Sequence, residues 1–260
     1  MASNNSIKKT LGVALALCIV CSVVVSTAAV VLRPQQLTNA ELDRKSNILA
    51  VAELLQPGED VGQQFRDKVT AKVVDLNTGD YVDNIDPEKY DQAKMSKDPA
   101  TSRTLSGDED LPGIKRREQY SVVYLVGDVE QPDQIIVPVR GNGLWSMMYG
   151  YLALKGDGNT VVGLSFYQQG ETPGLGGEVD NPKWKAQWDG KKIYPEDSMD
   201  PEVRLKKGGV NSSSPDAQYQ VDALSGATLT SNGVTNLLQF WMGENGFAKY
   251  LTQFRDVKGA

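Results

Sequence analysis

The N-terminal part of the chain contains an uncharged apolar run that is long enough to cross a membrane. The run extends over Leu11–Leu32, and 18 of its 22 residues are apolar. As a helix it would span about 33 Å, which is enough to cover a hydrocarbon core. Lys8 and Lys9 precede it and no acidic residue does, so the positive-inside rule places the N-terminus in the cytoplasm. The sequence predicts a cytoplasmic tip and transmembrane helix in residues 1–33 and an exported domain in residues 34–260.

A cleaved signal peptide is the competing interpretation of the same run. The small residues at positions 27–29 would suit a cleavage site. The run is longer, however, than the usual apolar core of about 7–15 residues in a signal peptide. A retained single-pass anchor is therefore favoured. Cys18 and Cys21 lie inside the run and are interpreted as small packing residues of the membrane helix, because a redox pair would need polar surroundings.

The side-chain inventory excludes several kinds of chemistry. The chain has no histidine and no cysteine outside the apolar run, which removes histidine-based catalysis, most catalytic zinc sites and iron–sulfur ligation. No metal site and no catalytic residue is predicted, so any redox chemistry must come from a bound cofactor. The net charge is −6, and residues 1–33 contain three basic and no acidic side chains. The exported part is therefore acidic, which argues against nucleic acid as a partner.

The exported part mixes strands and helices without a regular βαβ alternation, which is typical of an α+β domain. Alternating or β-branched patterns predict strands at Lys68–Leu76, Tyr120–Gly127, Gln134–Val139 and Thr160–Tyr167. Helical spacing predicts helices at Asn39–Leu55, Asn181–Trp188, Leu229–Met242 and Phe247–Phe254. The segment Leu144–Leu154 fits either a helix or a strand. Residues 83–112 are rich in charge and proline and are expected to form an irregular surface excursion. The prediction is a mixed sheet with helices.

One segment with small residues suggests a phosphate site. Asp222 is followed by the run Ser225-Gly226-Ala227-Thr228, which leads into the predicted helix. Small residues let backbone approach a ligand, and a helix N-terminus attracts phosphate. A capped helix after a tight turn explains the same residues, and so does a hairpin turn at positions 232–233.

Two further glycine-rich segments leave a similar choice open. Gly170–Gly177 could cradle a planar or anionic ligand with its backbone, or it could be an ordinary surface turn. Gly141–Trp145 is followed by methionine and tyrosine residues, which could form flat apolar walls for a flavin or quinone or could simply pack in the core. Neither a dinucleotide-binding GxGxxG nor a phosphate-binding GxxxxGK[ST] pattern occurs.

The three segments together, in their order after a single N-terminal anchor, resemble the FMN-binding domain family of the Nqr and Rnf membrane redox complexes. The resemblance covers nearly the whole chain and lies in GNGLW (141–145), GETPGLGG (170–177) and DALSGATLTSNGV (222–234). Within that family the chain is most similar to the C subunits of sodium-translocating NADH:quinone reductases. The last segment is the specific one, because family members carry it as the recognition sequence of a flavin transferase.

The resemblance implies a cofactor and a set of contacts to it. Thr228 would carry FMN through a phosphodiester bond to its side-chain oxygen, with FAD as the donor and AMP as the product. Asp222 would belong to the sequence that the transferase recognises. The other implied cofactor-binding residues are Ser225, Gly226, Ala227, Leu144, Trp145, Thr172, Leu175, Lys206 and Lys207. One departure is visible, since many relatives carry a histidine shortly before the second motif, where this chain has residues 167–169 without one.

The implied function is electron relay within a larger enzyme. The chain would be one subunit of a sodium-translocating NADH:ubiquinone reductase in the bacterial inner membrane, with its main domain periplasmic and with the other subunits as partners. No complete active site is expected in this chain, because it shows no dinucleotide site. Two alternatives remain: the corresponding flavin subunit of an Rnf-type ferredoxin:NAD reductase, and a membrane-anchored binding or scaffold module without a cofactor. The complex that copurifies with the chain would distinguish the Rnf-type subunit from the Nqr subunit. A yellow or colourless isolated domain would distinguish a flavoprotein from a module without a cofactor.

Overall fold

The computed structural model describes residues 6–256 and contains six α-helices and nine strands in that range. The helices are α1 (Ile7–Val51), α2 (Val61–Lys68), α3 (Gln92–Met95), α4 (Pro182–Lys185), α5 (Thr228–Met242) and α6 (Ala248–Asp256). The strands are β1 (Val69–Asp75), β2 (Ser102–Thr104), β3 (Arg116–Glu118), β4 (Tyr120–Gly127), β5 (Pro132–Asn142), β6 (Met147–Lys155), β7 (Val161–Gln168), β8 (Arg204–Lys206) and β9 (Gln220–Asp222). Short 3-10 turns occur at Gly176–Asp180, Ala186–Trp188 and Pro215–Tyr219.

Helix α1 is continuous where the sequence pattern predicted a new helix starting at Asn39. Pro34 lies inside it without ending it. The Asn39 side chain does not cap a helix start but accepts a hydrogen bond from Gln35 Nε2 one turn earlier, at 2.9 Å. By length and composition α1 is the one helix in the described range that could cross a membrane. The chain forms two compact units, residues 1–45 and 46–260, and the division at residue 33 stays a prediction about where the membrane part ends.

The larger unit is organised by a five-stranded sheet of order β1-β4-β5-β6-β7, in which every neighbouring pair is antiparallel. Strands β4 to β7 follow one another along the chain as a meander, whereas β1 joins β4 across the segment that contains α3, β2 and β3. Parallel pairing occurs between β8 and β9. The predicted α+β class is confirmed, and within the described strands the mixed character comes from this small separate sheet rather than from the main one.

The ambiguous segment at residues 144–154 is mostly strand, namely β6. Its residues pair on both sides, with β5 from Asn142↔Met147 to Gln134↔Lys155 and with β7 from Tyr149↔Gln168 to Leu154↔Val161. A central strand is buried on both faces, so its apolar residues form a continuous run rather than an alternating one. That is why periodicity alone could not separate a strand from a helix here.

The two faces of the sheet carry two separate cores. Alternate residues of β4 point to opposite faces: Val123 and Leu125 belong to one core, and Val122 and Tyr124 to the other. Helices α5 and α6 cover the first face through buried side chains such as Trp241, Leu237 and Tyr250. The second face is covered by α2 and by the last turns of α1, including Ile48 and Leu49. The sheet thereby fixes the start of α5 beside the turn between β5 and β6.

Candidate cofactor-binding site

Thr228 is the first residue of α5, and its side chain is exposed. The preceding residue, Ala227, provides no side-chain cap for the helix. Gly226 before it has φ +72°, a left-handed conformation that glycine adopts without strain. An uncapped helix start presents backbone N–H groups and the positive end of the helix dipole. The Thr228 hydroxyl therefore lies at a helix start, where backbone N–H groups would stabilise a negatively charged group.

The turn before Thr228 is held in place by a buried serine of the same helix. Ser231 Oγ accepts a hydrogen bond from the backbone N–H of Leu224 at 3.0 Å and donates one to the carbonyl of Ala227 at 2.9 Å. Its side chain is 3% exposed. The loop from 224 to 227 is thus closed onto the first turn of α5, which fixes the backbone that leads into Thr228.

A cleft of about 400 Å³ opens beside the Thr228 side chain. Ser225 and Gly226 line it on one side, and Lys207 with the glycines that follow it lines the other. Lys206, the last residue of β8, is exposed but is not among the residues that line the cleft. Of the two lysines that the resemblance suggested, Lys207 lines the same cleft as Thr228.

Asp222 has a structural position behind this cleft. Its Oδ1 accepts a hydrogen bond from the backbone N–H of Val210 at 2.7 Å, and its carbonyl accepts one from Trp184 Nε1 at 2.8 Å. Its backbone N–H donates to Gln187 Oε1 at 3.1 Å. The carboxylate therefore closes the turn after β8 at one wall of the cleft. Its predicted role in transferase recognition stays a prediction.

Glu171 joins the three glycine-containing segments at the start of α5. Its carboxylate accepts hydrogen bonds from the backbone N–H groups of Leu144 (3.1 Å), Trp145 (2.9 Å) and Ser146 (3.2 Å). A fourth comes from the hydroxyl of Thr230 at 2.6 Å. Glu171 is only 5% exposed. One buried carboxylate thus binds the turn between β5 and β6, its own loop and the first turn of α5.

These hydrogen bonds decide the charge state of Glu171. Burial alone would raise the pKa of its carboxyl group. The hydrogen bonds from Thr230 and from the three backbone amides act in the opposite direction and leave the pKa below its ordinary value of 4.5. Glu171 is therefore ionised at neutral pH, and its negative charge is compensated by four donors rather than by a basic side chain.

The glycines of the first two motifs allow this packing. A Cβ at Gly143 would lie 2.5 Å from Glu171 Oε1, and one at Gly176 would lie 2.5 Å from Thr230 Oγ1 and 2.8 Å from Glu171 Oε2. Neither position has room for a side chain. The glycine-rich pattern suggested a cradle for a ligand, whereas these two glycines admit the Glu171 carboxylate.

Large apolar side chains are exposed around the same point. Trp145 is 71% exposed, Leu229 59%, Leu144 45% and Leu175 44%. Leu175 lies against the turn before Thr228, since a Cβ added at Gly226 would be 3.0 Å from its Cδ2. The Thr172 side chain in the same loop is also exposed. Apolar side chains that are held out in water next to an anion site suit the flat rings of a cofactor.

Sequence reasoning missed the residues that hold the site together. Glu171, Thr230 and Ser231 were not among the predicted site residues, although all three lie within the motifs. One signal was present: a single acidic residue among four glycines in a chain segment that was expected to meet an anion. The partners of Glu171 are 25 to 59 residues away in sequence, so local pattern could not reveal them.

The chain matches a known protein family over the region that contains the candidate site. Residues 143–243 match the FMN-binding domain family. This range begins at the turn that Glu171 holds and ends just after α5, so it contains the whole of the candidate site.

Relatives over the full length give a narrower assignment. The C subunit of the Na(+)-translocating NADH-quinone reductase of Pseudomonas aeruginosa is 54% identical over 98% of both chains. The corresponding protein of Vibrio vulnificus, which has the same name, is 51% identical, again over 98% of each chain. The crystal structure of Shewanella oneidensis NqrC superposes with a TM-score of 0.74 at 34% identity and covers 84% of this chain and 97% of that one. The chain belongs to the family of Na(+)-translocating NADH-quinone reductase C subunits, which confirms the resemblance seen in its motifs.

Proposed function

We propose that this protein is the FMN-carrying electron-transfer subunit of a sodium-translocating NADH:quinone reductase, with ubiquinone as the acceptor of the whole complex. The observation that carries the proposal is the exposed Thr228 hydroxyl at the uncapped start of α5, beside a cleft and among exposed apolar side chains. The family assignment supports the same function. The alternatives, an Rnf-type subunit and a module without cofactor, have no comparable support.

The cofactor would be attached at Thr228 as a phosphodiester. A flavin transferase would direct the threonine oxygen onto the FMN phosphorus of FAD, the pyrophosphate bond would break, AMP would leave, and the hydroxyl proton would be released. The product keeps one negative charge on the phosphodiester. The N-terminus of α5 and Lys207 stabilise that charge. Ser225, Gly226 and Ala227 leave the approach to Thr228 free of bulky side chains.

The exposed side chains that Glu171 and its loop hold near the start of α5 suit the remainder of the cofactor. Leu144, Trp145 and Leu175 would cover the rings and exclude water, and Thr172 would offer a hydroxyl at their edge. Lys206 would contribute through its charge rather than by contact. Bound FMN supplies the ability to accept and release electrons, while the protein sets the potential through burial, nearby charge and hydrogen bonds.

The membrane arrangement follows from α1. We infer that its apolar part spans the inner membrane once, with the N-terminus in the cytoplasm and the sheet domain in the periplasm. The tether would keep the flavin domain next to the other subunits of the complex. A covalent bond to the cofactor is useful in that compartment, because free FMN would be lost from it.

Flavin attachment can be tested on the whole chain, produced together with a flavin transferase. A denaturing gel under ultraviolet light, followed by intact mass, is expected to show a fluorescent band that is heavier by one FMN less one water. Thr228→Ala is expected to be dark and Thr228→Ser to be labelled, because serine keeps the hydroxyl.

Ser212→Ala is the control, since it removes an exposed hydroxyl that lies outside the three motifs. It is expected to stay fluorescent. A dark wild-type band, with a transferase that labels a known substrate, would overturn the proposal and leave the cofactor-free module. A fluorescent Thr228→Ala band would place the bond on another residue. Copurification of the labelled protein with Rnf rather than Nqr subunits would overturn the choice of complex.

A further inference from the structure

The backbone amides of Leu144, Trp145 and Ser146 all point at one carboxylate group. Consecutive backbone N–H groups that converge in this way form a concave anion site, which in many proteins receives a phosphate. Here the site is filled from within the chain by Glu171, at 2.9 to 3.2 Å. The turn between β5 and β6 is therefore not available for the cofactor phosphate, which leaves the start of α5 for that group.

The same carboxylate fixes what the turn displays. Its hydrogen bonds hold the backbone of Leu144 and Trp145, whose side chains point into solvent and are 45% and 71% exposed. A second bond between neighbouring loops supports the arrangement, because the backbone N–H of Gly170 donates to Ser146 Oγ at 2.7 Å. Exposed side chains on an anchored backbone are ready to receive a flat ligand with little ordering cost.

Glu171 also reaches the element that carries the attachment point. Thr230 is the third residue of α5 and is 1% exposed, and its hydroxyl donates to Glu171 Oε2 at 2.6 Å. Thr228 lies two residues earlier in the same turn of the helix. Glu171 thus links Leu144 and Trp145 to the helix turn that contains Thr228. One part of the link is its hydrogen bonds from their backbone amides, and the other is its hydrogen bond from Thr230.

We propose that Glu171 is the positioning residue of the flavin site. It holds Leu144 and Trp145 near the start of α5, so that a flavin tethered at Thr228 lies between these side chains and the helix. Its negative charge disfavours electron uptake by the flavin rings. The proposal rests on the proposed function, because it concerns how the flavin is held once it is present. It assigns a role to a residue that neither touches the phosphate nor forms the covalent bond.

The test uses the full chain with its flavin and compares three variants. Glu171→Gln keeps size and removes the charge, and Thr230→Val keeps shape and charge but removes one donor. Glu178→Gln is the control, because it removes a carboxylate from the turn after the same loop, where its bond is to Asn181 rather than to the site. The measurements are the flavin midpoint potential, the visible circular dichroism of the flavin, and the midpoint of thermal unfolding.

For Glu171→Gln we expect a higher flavin midpoint potential. The expected change favours the reduced flavin about tenfold, which is about 30 mV for a two-electron couple. The visible circular dichroism should fall, because the rings are no longer held in one orientation. Thr230→Val should lower the visible circular dichroism and leave the potential near that of the wild type. Glu178→Gln should change neither. A role in folding alone would lower the unfolding midpoint and leave both flavin properties as they are.

A folded Glu171→Gln variant with the potential and visible circular dichroism of the wild type would overturn the inference. If that variant does not fold, Thr230→Val replaces it as the test. Visible circular dichroism like that of the wild type in Thr230→Val would then overturn the inference. A wild-type chain without flavin is a different result. It would remove the proposed function itself, and the inference would fall with it.

Discussion

The site is built at the scale of single atoms around the Glu171 carboxylate. Its four donors come from two different stretches of the chain, and the neighbouring glycines leave room for nothing larger than a hydrogen atom. A buried charge is costly unless it is hydrogen-bonded. The stability of this part of the protein should therefore depend on the charge of one residue.

The first prediction concerns pH. The pKa of Glu171 is lower in the folded protein than its ordinary value of 4.5. Its contribution to stability is therefore fully present above about pH 4.5 and is lost as the pH falls through the folded-state value. The difference in free energy of unfolding between the wild type and Glu171→Gln should shrink toward pH 3. Urea unfolding of both proteins at pH 7 and at successively lower pH measures this difference. A difference that does not change with pH would contradict the lowered pKa of Glu171.

The second prediction concerns Gly143. Gly143→Ala places a Cβ against Glu171 Oε1, so the carboxylate must move, and we expect a loss of about 1–3 kcal/mol. In a Glu171→Ala background the same substitution should cost much less, because the clashing atoms are absent. Gly107→Ala is the control, since nothing lies within 4 Å of that position. Additive losses in the double variant would show that Gly143 is constrained by something else.

At the scale of elements, the two ends of α5 have different roles. Its first residue carries the exposed Thr228 hydroxyl, while Leu237 and Trp241 further along are fully buried against the sheet. Trp241 Nε1 also donates to the carbonyl of Arg140 in β5 at 2.7 Å. The position of Thr228, the proposed attachment point, therefore depends on how the other end of the helix packs.

A pair of substitutions in α5 separates these functions. Leu237→Ala removes a fully buried side chain and should cost about 2–5 kcal/mol of stability. Leu229→Ala, in the same helix but 59% exposed, should change stability by less than about 0.5 kcal/mol. Chemical unfolding of the two variants measures the difference. Equal losses would contradict the exposed position of Leu229 in the folded chain.

The elements that could be predicted from sequence are those with a strong local signal. β4, β7 and α5 lie within a residue or two of their predicted bounds. The two strands are rich in β-branched and aromatic residues, and the helix has apolar residues at helical spacing. β6 could not be assigned, since its run of methionine, tyrosine, leucine and alanine contains no β-branched residue and suits a helix as well as a strand. The sequence pattern predicted a separate helix from Asn39, because asparagine is a good helix cap, yet α1 continues through Asn39 and through Pro34.

The candidate site was predictable in part for the same reason. The motifs around residues 144, 175 and 228 stand out by composition, and the structure brings these three together. Glu171 and Thr230 act only through partners far away in sequence, which no local pattern contains. Lys206 and Lys207 are adjacent in sequence, and only the end of β8 decides which of them lines the cleft.

At the scale of the whole molecule, the apolar part of α1 stands out because its side chains are exposed throughout. Large residues such as Leu11, Val23 and Val31 are each about 60–70% exposed, which a water-soluble helix would avoid. A lipid bilayer around this part of α1 would cover these side chains. Both cysteines of the chain lie in this part, so a cysteine introduced elsewhere can be labelled selectively.

That property gives a test of membrane orientation. In cells with a permeabilised outer membrane, a membrane-impermeant maleimide should label Ser213→Cys, because residue 213 would be periplasmic. It should label Ser6→Cys only after the inner membrane is broken. Both side chains are exposed in the structure, and the unsubstituted chain serves as the background. The reverse pattern would place the sheet domain in the cytoplasm.

The order of elements along the chain has a consequence for how the protein matures. All five strands of the main sheet precede α5, and α5 supplies the buried residues that close one face of that sheet. If the domain crosses the membrane in chain order after α1, Thr228 would therefore arrive together with a large part of the core. Attachment of the cofactor would then act as a record of successful folding, since a chain whose α5 fails to dock would present no fixed acceptor. Flavin content per chain should accordingly fall in step with the folded fraction across a series of destabilised variants such as Leu237→Ala.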